Sequence, residues 1–101
     1  MQTFGEHLRS MREKEKLSLR DLSVSLKIDS SLIAKIERNE RKPSRKFIKQ
    51  TALFFNKEEK ELLNEYLSDV IAYRILDEEM DTEVLKVAED KVNYIKTKSN
   101  G

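Results

Sequence analysis

The chain has 101 residues, with 20 Lys and Arg, 19 Asp and Glu, and no cysteine. This length suits one domain with a small appendage. The lack of cysteine excludes a disulfide scaffold and a thiolate metal site, and it leads us to expect a cytoplasmic protein. No apolar run approaches the ~20 residues of a membrane-spanning helix, and no apolar signal segment opens the chain, so we expect no membrane association.

The net charge of +1 hides an asymmetry between the two halves of the chain. Residues 1–50 carry 13 basic and 7 acidic side chains, a net +6, whereas residues 51–101 carry 7 basic and 12 acidic ones, a net −5. A basic first half suits a protein that offers one end to a polyanion such as DNA. Two solvated surfaces whose net charges differ by chance would give the same totals, so the charge distribution alone does not indicate DNA binding.

Residues 17–44 predict two short helices joined by a tight turn. Ser18 followed by Asp21 is typical of a helix start, because a hydroxyl and a carboxylate at this spacing satisfy backbone amides that lack partners. Asp29 is the candidate cap of the second helix. At helical spacing, the side chains expected to face inward are Leu22, Leu26, Ile33 and Ile36.

The start of that second helix is polar on its outer side, and cations follow it. A short exposed helix with small polar residues at its start suits the major groove of DNA. Residues 38–49 are rich in Lys and Arg, which phosphate contacts require with little sequence specificity.

At these residues the chain resembles the helix-turn-helix of the Cro and lambda-repressor-like (XRE-type) family of bacterial and phage regulators. The resemblance covers residues 1–57. It implies an all-α fold with a five-helix lambda-repressor-like helix-turn-helix domain, whose DNA-binding part we place at 1–57. The apolar spacing of the later residues predicts a C-terminal helical extension over 58–101. The matching residues are Gly5, Leu8, Arg9, Arg12, Leu17, Ser18, Leu22, Ile28, Ile33, Ile36, Glu37, Arg38, Arg41, Lys42, Pro43, Ser44, Ala52 and Phe55.

The resemblance also implies the parts of a DNA site. The family's base-reading positions fall on Ser30, Ser31, Ala34 and Lys35; we expect Lys35 to favour guanine and Ala34 to contact a thymine methyl. The family's arginine–glutamate pair falls on Arg12 and Glu37. The candidate phosphate contacts are Ser18, Lys27, Arg38, Arg41, Lys42, Arg45 and Lys46.

Three positions depart from the family pattern. Leu19 stands where many members have a glutamine that reaches a phosphate, and a leucine cannot donate that hydrogen bond. Lys27 stands where the turn usually has glycine, which costs about 1 kcal/mol if the turn stays left-handed. Asn39 replaces another glycine, but asparagine tolerates the left-handed conformation, so the helix is still expected to end there.

The C-terminal part predicts a long helix over 57–76 and a last helix from Asp81 or Thr82. Apolar residues cover about half the circumference of the long helix, so it needs two packing partners. We expect a two-fold homodimer that places two third helices ~34 Å apart, although an intramolecular cap on a monomer is the alternative. The candidate dimer residues are Leu63, Tyr66, Leu67, Val70, Ile71, Arg74, Leu85 and Val92.

The leading interpretation is a homodimeric, sequence-specific regulator of transcription that binds a palindromic operator in double-stranded DNA. The controller protein of a restriction-modification locus is a close variant. The alternative is an antitoxin-type regulator whose C-terminal helices bind another protein. An enzyme ranks far below, and we expect no metal and no cofactor, because the sequence lacks a ligand cluster and a phosphate-binding glycine loop.

Overall fold

The computed structural model describes residues 1–100, with side chains as far as Ser99, and these residues form α-helices and no strand. This confirms the predicted all-α class. The described residues form six helices, close to the five predicted, and four of them lie within residues 1–57. The helices are α1 (Phe4–Lys14), α2 (Leu19–Leu26), α3 (Ser30–Glu37), α4 (Arg45–Phe54), α5 (Glu59–Asp77) and α6 (Glu83–Asn100).

The chain divides into two compact units, Met1–Asp69 and Val70–Gly101, so the division falls within α5. The sequence analysis divides the chain between residues 57 and 58, before α5 begins. That functional boundary stays a prediction. The first unit contains α1 to α4 and the beginning of α5.

The core of the first unit is formed by apolar side chains of its helices. They are buried at the spacings that place them on one side of each helix. Two polar residues are buried as well, Thr51 at 0% and Glu37 at 8% exposed. The buried apolar residues are Phe4, Leu8, Met11, Leu22, Leu26, Ile33, Ile36, Phe47, Ile48, Ala52 and Leu62.

A side chain just before the helix caps the start of each of the first four helices. Ser18 Oγ accepts from the Asp21 amide at 3.0 Å, and the Ser18 amide donates to Asp21 Oδ2 at 2.9 Å. Each such cap contributes about 1 kcal/mol and fixes where the helix begins. The capping residues are Thr3, Ser18, Asp29 and Ser44.

A left-handed residue other than glycine follows or ends each of the first five helices. The residue after it donates its amide to the carbonyl five positions earlier, for example Ile28 to Ser23 at 3.1 Å. This closes the helix, but a side chain in the left-handed region costs roughly 1–2 kcal/mol. The five residues are Lys16, Lys27, Asn39, Asn56 and Glu79, and they include both positions at which the sequence predicts such a turn.

Gly5 allows α1 to approach the end of α3 closely. A Cβ atom at this position would lie 2.5 Å from the carbonyl oxygen of Ile36 and 2.6 Å from that of Glu37. These atoms belong to the backbone and cannot move aside, so only glycine fits here. The resemblance included Gly5, and the structure supplies its physical reason.

The beginning of α5 packs against α1. Asp69 Oδ2 accepts from the Phe4 amide at 2.7 Å, and Glu65 Oε1 lies 2.8 Å from His7 Nδ1. The ring of Tyr66 packs edge-on against Phe4, with centroids 6.3 Å apart. Tyr66 therefore packs within its own chain, a role that the sequence analysis did not give it.

Apolar side chains of the second unit are largely exposed. Val70, Ile71, Leu85 and Val92 are 43–50% exposed. Arg74 is exposed too, and its Nη2 lies 3.2 Å from Glu78 Oε1. Within residues 1–100, no helix is both long and apolar enough to cross a membrane.

Candidate nucleic-acid interface

A buried ion pair holds α3 against α1. Arg12 Nε donates to Glu37 Oε2 at 2.7 Å, and Arg12 Nη2 donates to Oε1 at 3.0 Å. The third donor, Nη1, reaches the carbonyl of Leu17 at 2.9 Å, just before α2. The two charged side chains are only 12% and 5% exposed. One guanidinium thus fixes three segments, which positions α2 and α3 relative to each other.

The Arg12–Glu37 pair also affects the protonation of Arg12. The hydrogen bond with Glu37 raises the pKa of Arg12 above its ordinary value, so this guanidinium stays charged. A two-pronged contact between planar groups restricts orientation as well as distance. Because both charges are withdrawn from water, the pair contributes more to geometry than to net stability.

The turn between α2 and α3 is closed by local hydrogen bonds. Lys27 has φ 57° and ψ 45°, and the Ser23 hydroxyl donates to the carbonyl of Ile28. Leu19 is partly buried and packs against the core. This packing explains a leucine at the position where many family members place glutamine.

The outer side of α3 is polar and accessible, as the sequence predicts. Ser31 and Lys35 are exposed, whereas Ile33 and Ile36 on the opposite side are buried. Ser31 and Lys35 are four residues apart and therefore lie next to each other on the helix surface. The two other candidate base-reading residues, Ser30 and Ala34, are half-buried.

A carboxylate at the start of α3 binds one of the candidate base-reading side chains. Asp29 Oδ1 accepts from the Ser31 amide at 2.9 Å and from the Ser31 hydroxyl at 3.0 Å. The amide hydrogen bond lowers the pKa of Asp29 most, the hydroxyl adds to it, and the nearby Lys35 charge acts in the same direction. The sequence analysis identified Asp29 only as a cap. An acid two positions before a serine is the local pattern that could have revealed the bond.

Every candidate phosphate contact is exposed. Arg38 forms an ion pair with Glu40, a residue that the sequence analysis did not consider. Both side chains are more than half exposed, so the pair is weak. The exposed residues are Ser18, Lys27, Arg38, Arg41, Lys42, Arg45 and Lys46.

The start of α4 carries the opposite charge from the one that helix stability favours. Arg45 and Lys46 are its first two residues, and its first turn has no acid. The helix dipole favours anions at this end, and misplaced cations cost roughly 0.3–1 kcal/mol each. The same amides and cations together suit a bound phosphate. A local departure of this kind is expected at functional sites.

These features define the class of the protein: a helix-turn-helix DNA-binding domain with an exposed second helix flanked by cations. The family profile described as "Helix-turn-helix domain" matches residues 5–68. The chain belongs to this family, in its Cro and lambda-repressor-like (XRE) branch, whose members are DNA-binding regulators and not enzymes. Among curated proteins, none matches the chain significantly.

Solved structures of regulators share this fold. The restriction-modification controller protein C.AhdI from Aeromonas hydrophila is 32% identical, with a TM-score of 0.54 over 58% of this chain and 89% of that one. The biofilm regulator SinR, solved in complex with DNA, is 24% identical, with a TM-score of 0.55 over 60% of this chain and 98% of its own. A complex of SinR with SinI gives 18% identity and a TM-score of 0.57 over 94% of this chain and 99% of that one.

Proposed function

We propose that this chain is a sequence-specific regulator of transcription that inserts α3 into the major groove of an operator. The observation that carries the proposal is the two-sided character of α3. Ser31 and Lys35 face solvent, while Ile33 and Ile36 are buried and the Arg12–Glu37 pair fixes the helix. A rigid helix with an accessible polar side is the element that reads base edges.

Within this proposal, four residues contact bases: Ser30, Ser31, Ala34 and Lys35. Lys35 donates to guanine O6 or N7, and the methyl group of Ala34 contacts a thymine methyl. Because α3 offers few side chains to the bases, DNA shape and bridging water supply part of the specificity.

The cations around α3 then bind the DNA backbone. Ser18 and Lys27 contact one strand near the start of α2 and the turn, and the basic residues from Arg38 to Lys46 contact phosphates beyond α3. These contacts set the register and supply most of the salt-dependent affinity. The 32% identity to a restriction-modification controller supports this role and makes control of such a locus our more specific proposal.

We further propose that the chain acts as a homodimer on a palindrome. Exposed apolar side chains on α5 and α6 support this, because such surfaces usually mark a binding partner. Two-fold pairing would place two copies of α3 ~34 Å apart. A dimer bound over a promoter would block transcription, and we place this activity in the cytoplasm. Leu63 and Tyr66 also pack against their own core, so they offer less area than the rest. The proposed interface residues are Leu63, Tyr66, Leu67, Val70, Ile71, Arg74, Leu85 and Val92.

Two lysine variants test the DNA site. Lys35→Ala should relax the preference at one base pair per half-site, because it removes a donor to a base edge. Lys42→Ala should weaken binding to all sequences alike and reduce the slope of log K against log salt by about one. Both are measured by titration against a panel of operators at several salt concentrations. If both variants lost the same affinity for every operator sequence, α3 would not be the helix that reads bases.

A second candidate function is an antitoxin-type regulator whose C-terminal helices bind a different protein. The same exposed apolar residues favour it, and the SinR–SinI complex pairs a protein of this fold with a protein partner. Light scattering of the purified chain after size exclusion separates the two. A dimer supports the homodimeric regulator, whereas a monomer at micromolar concentration supports the heteromeric one.

A further inference from the structure

We infer that Asp29 and Ser31 together determine specificity, by accepting a hydrogen bond from the exocyclic amino group of a cytosine. This inference rests on the proposed function, since it requires α3 in the major groove. It assigns Asp29 a contact with a base, beyond its role as a cap. It also restricts what Ser31 can recognise.

The hydroxyl of Ser31 has already committed its only proton. It donates to Asp29 Oδ1 at 3.0 Å, so its oxygen can offer a base only lone pairs. The Ser31 amide donates to the same Oδ1 at 2.9 Å. A carboxylate has about four lone-pair sites, so Asp29 keeps acceptor capacity after these two bonds. The exposed start of α3 therefore offers acceptors to DNA.

Acceptors discriminate among base edges in the major groove. Guanine exposes N7 and O6, and thymine exposes O4, so both would face Asp29 with lone pairs only. Adenine offers an amino donor beside the N7 acceptor. Cytosine offers its N4 amino group with no adjacent acceptor. A negatively charged acceptor pair thus favours cytosine and rejects guanine and thymine.

The charge of Asp29 suits the helix dipole at the start of α3, although capping alone does not require a charge. Asparagine and serine cap helices about as well as aspartate. Beside a polyanion, a carboxylate that meets no donor opposes binding. Hydrogen bonds from Ser31 lower the pKa of Asp29, so the charge persists at neutral pH. Lys35 lies four residues after Ser31 and supplies the complementary donor for a neighbouring guanine.

Asp29→Asn tests the inference without removing the cap. The asparagine oxygen can still accept from Ser31, while its new amino group can pair with adenine N7. Selection from a random DNA pool should change one cytosine per half-site to adenine and leave the other positions unchanged. Titration should show that the affinity for the cytosine-containing site falls about tenfold relative to that for the adenine-containing site.

Asp21→Asn is the matched control. Asp21 is also exposed and hydrogen-bonded to a serine at a helix start, and its pKa is lowered in the same way. The Asp21→Asn variant removes the same charge from α2 and not from α3, so it should keep the cytosine preference. If Asp29→Asn keeps that preference too, or if both variants strengthen binding equally at every sequence, the inference is wrong. If the wild-type chain enriches no sequence at all, the proposed function fails along with it.

Discussion

The two units of the chain use apolar residues in opposite ways. In the first, side chains such as Leu8, Leu22 and Ile33 are fully buried. In the second, the side chains described for α6, residues 83–99, are all exposed, Leu85 and Val92 among them. In proteins, most of the stability of a helix such as α6, which has 18 residues, comes from tertiary packing of an apolar face. The first unit therefore has a core of its own, whereas we propose that a partner surface stabilises the second.

The first unit also has a buried ion pair between two helices, although its Arg9–Glu13 and Arg38–Glu40 pairs are exposed. Arg12 and Glu37 are buried and join separate helices, whereas the Arg74–Glu78 and Lys86–Asp90 pairs are exposed and lie within one helix. Exposed pairs of this kind contribute about 0.3–0.5 kcal/mol each. The buried pair fixes tertiary geometry, and it lies behind the proposed base-reading helix.

Among the ion pairs, the largest effect on the free energy of unfolding is expected for Glu37→Ala. The change leaves the Arg12 charge buried without its partner, which should lower that free energy by about 3 kcal/mol. Denaturant titration of the full chain measures it. Glu13→Ala breaks the exposed Arg9–Glu13 pair and should cost under about 0.5 kcal/mol. Equal costs for the two variants would contradict the distinction between buried and exposed pairs.

An increase in stability is expected for Thr51→Val. Thr51 is 0% exposed, and its Oγ1 has no hydrogen-bond partner among the described residues. Replacing the hydroxyl with a methyl group of similar shape should raise the unfolding free energy by about 1 kcal/mol. Thermal and denaturant unfolding both report it, with Thr97→Val as the exposed control. A loss of stability would show that the hydroxyl is satisfied in solution.

The smallest effect on unfolding is expected for Leu85→Ala. At dilutions where the chain is monomeric, the change should cost under about 0.5 kcal/mol, since Leu85 is exposed. The same variant should weaken self-association about tenfold, measured by sedimentation equilibrium, if the residue lies in the dimer interface. Leu8→Ala in the first core should instead cost about 3 kcal/mol. If Leu85→Ala lowered the unfolding free energy of the monomer by a similar amount, the proposed difference between the apolar residues of the two units would be wrong.

Local sequence rules predicted much of the first unit. Caps such as Ser18 and Asp29 place helix starts because the hydrogen bonds span only two or three residues. The left-handed turns at Lys27 and Asn39 were suggested by the family resemblance, because the family usually has glycine at both positions. The Arg12–Glu37 pair joins residues 25 positions apart, and only the family resemblance suggested it.

Other features depend on packing or on side-chain orientation, which periodicity does not encode. Leu63 and Tyr66 lie at the same helical spacing as the other proposed interface residues. Both nevertheless pack partly against the hydrophobic core of their own chain. The Asp29–Ser31 hydroxyl bond and the Arg38–Glu40 pair depend on which rotamers the side chains adopt. The last helix extends to Asn100, five residues beyond its final apolar residue, Ile95.

The most direct test of the account is selection of bound duplexes from a random pool by the full-length chain. We expect an inverted repeat whose half-site centres lie one helical turn apart, ~34 Å, with a guanine and a cytosine in each half-site. This result would support both base reading by α3 and pairing of two chains. Enrichment of a single half-site would contradict the homodimer, and retention of duplexes without any shared sequence would contradict base reading itself.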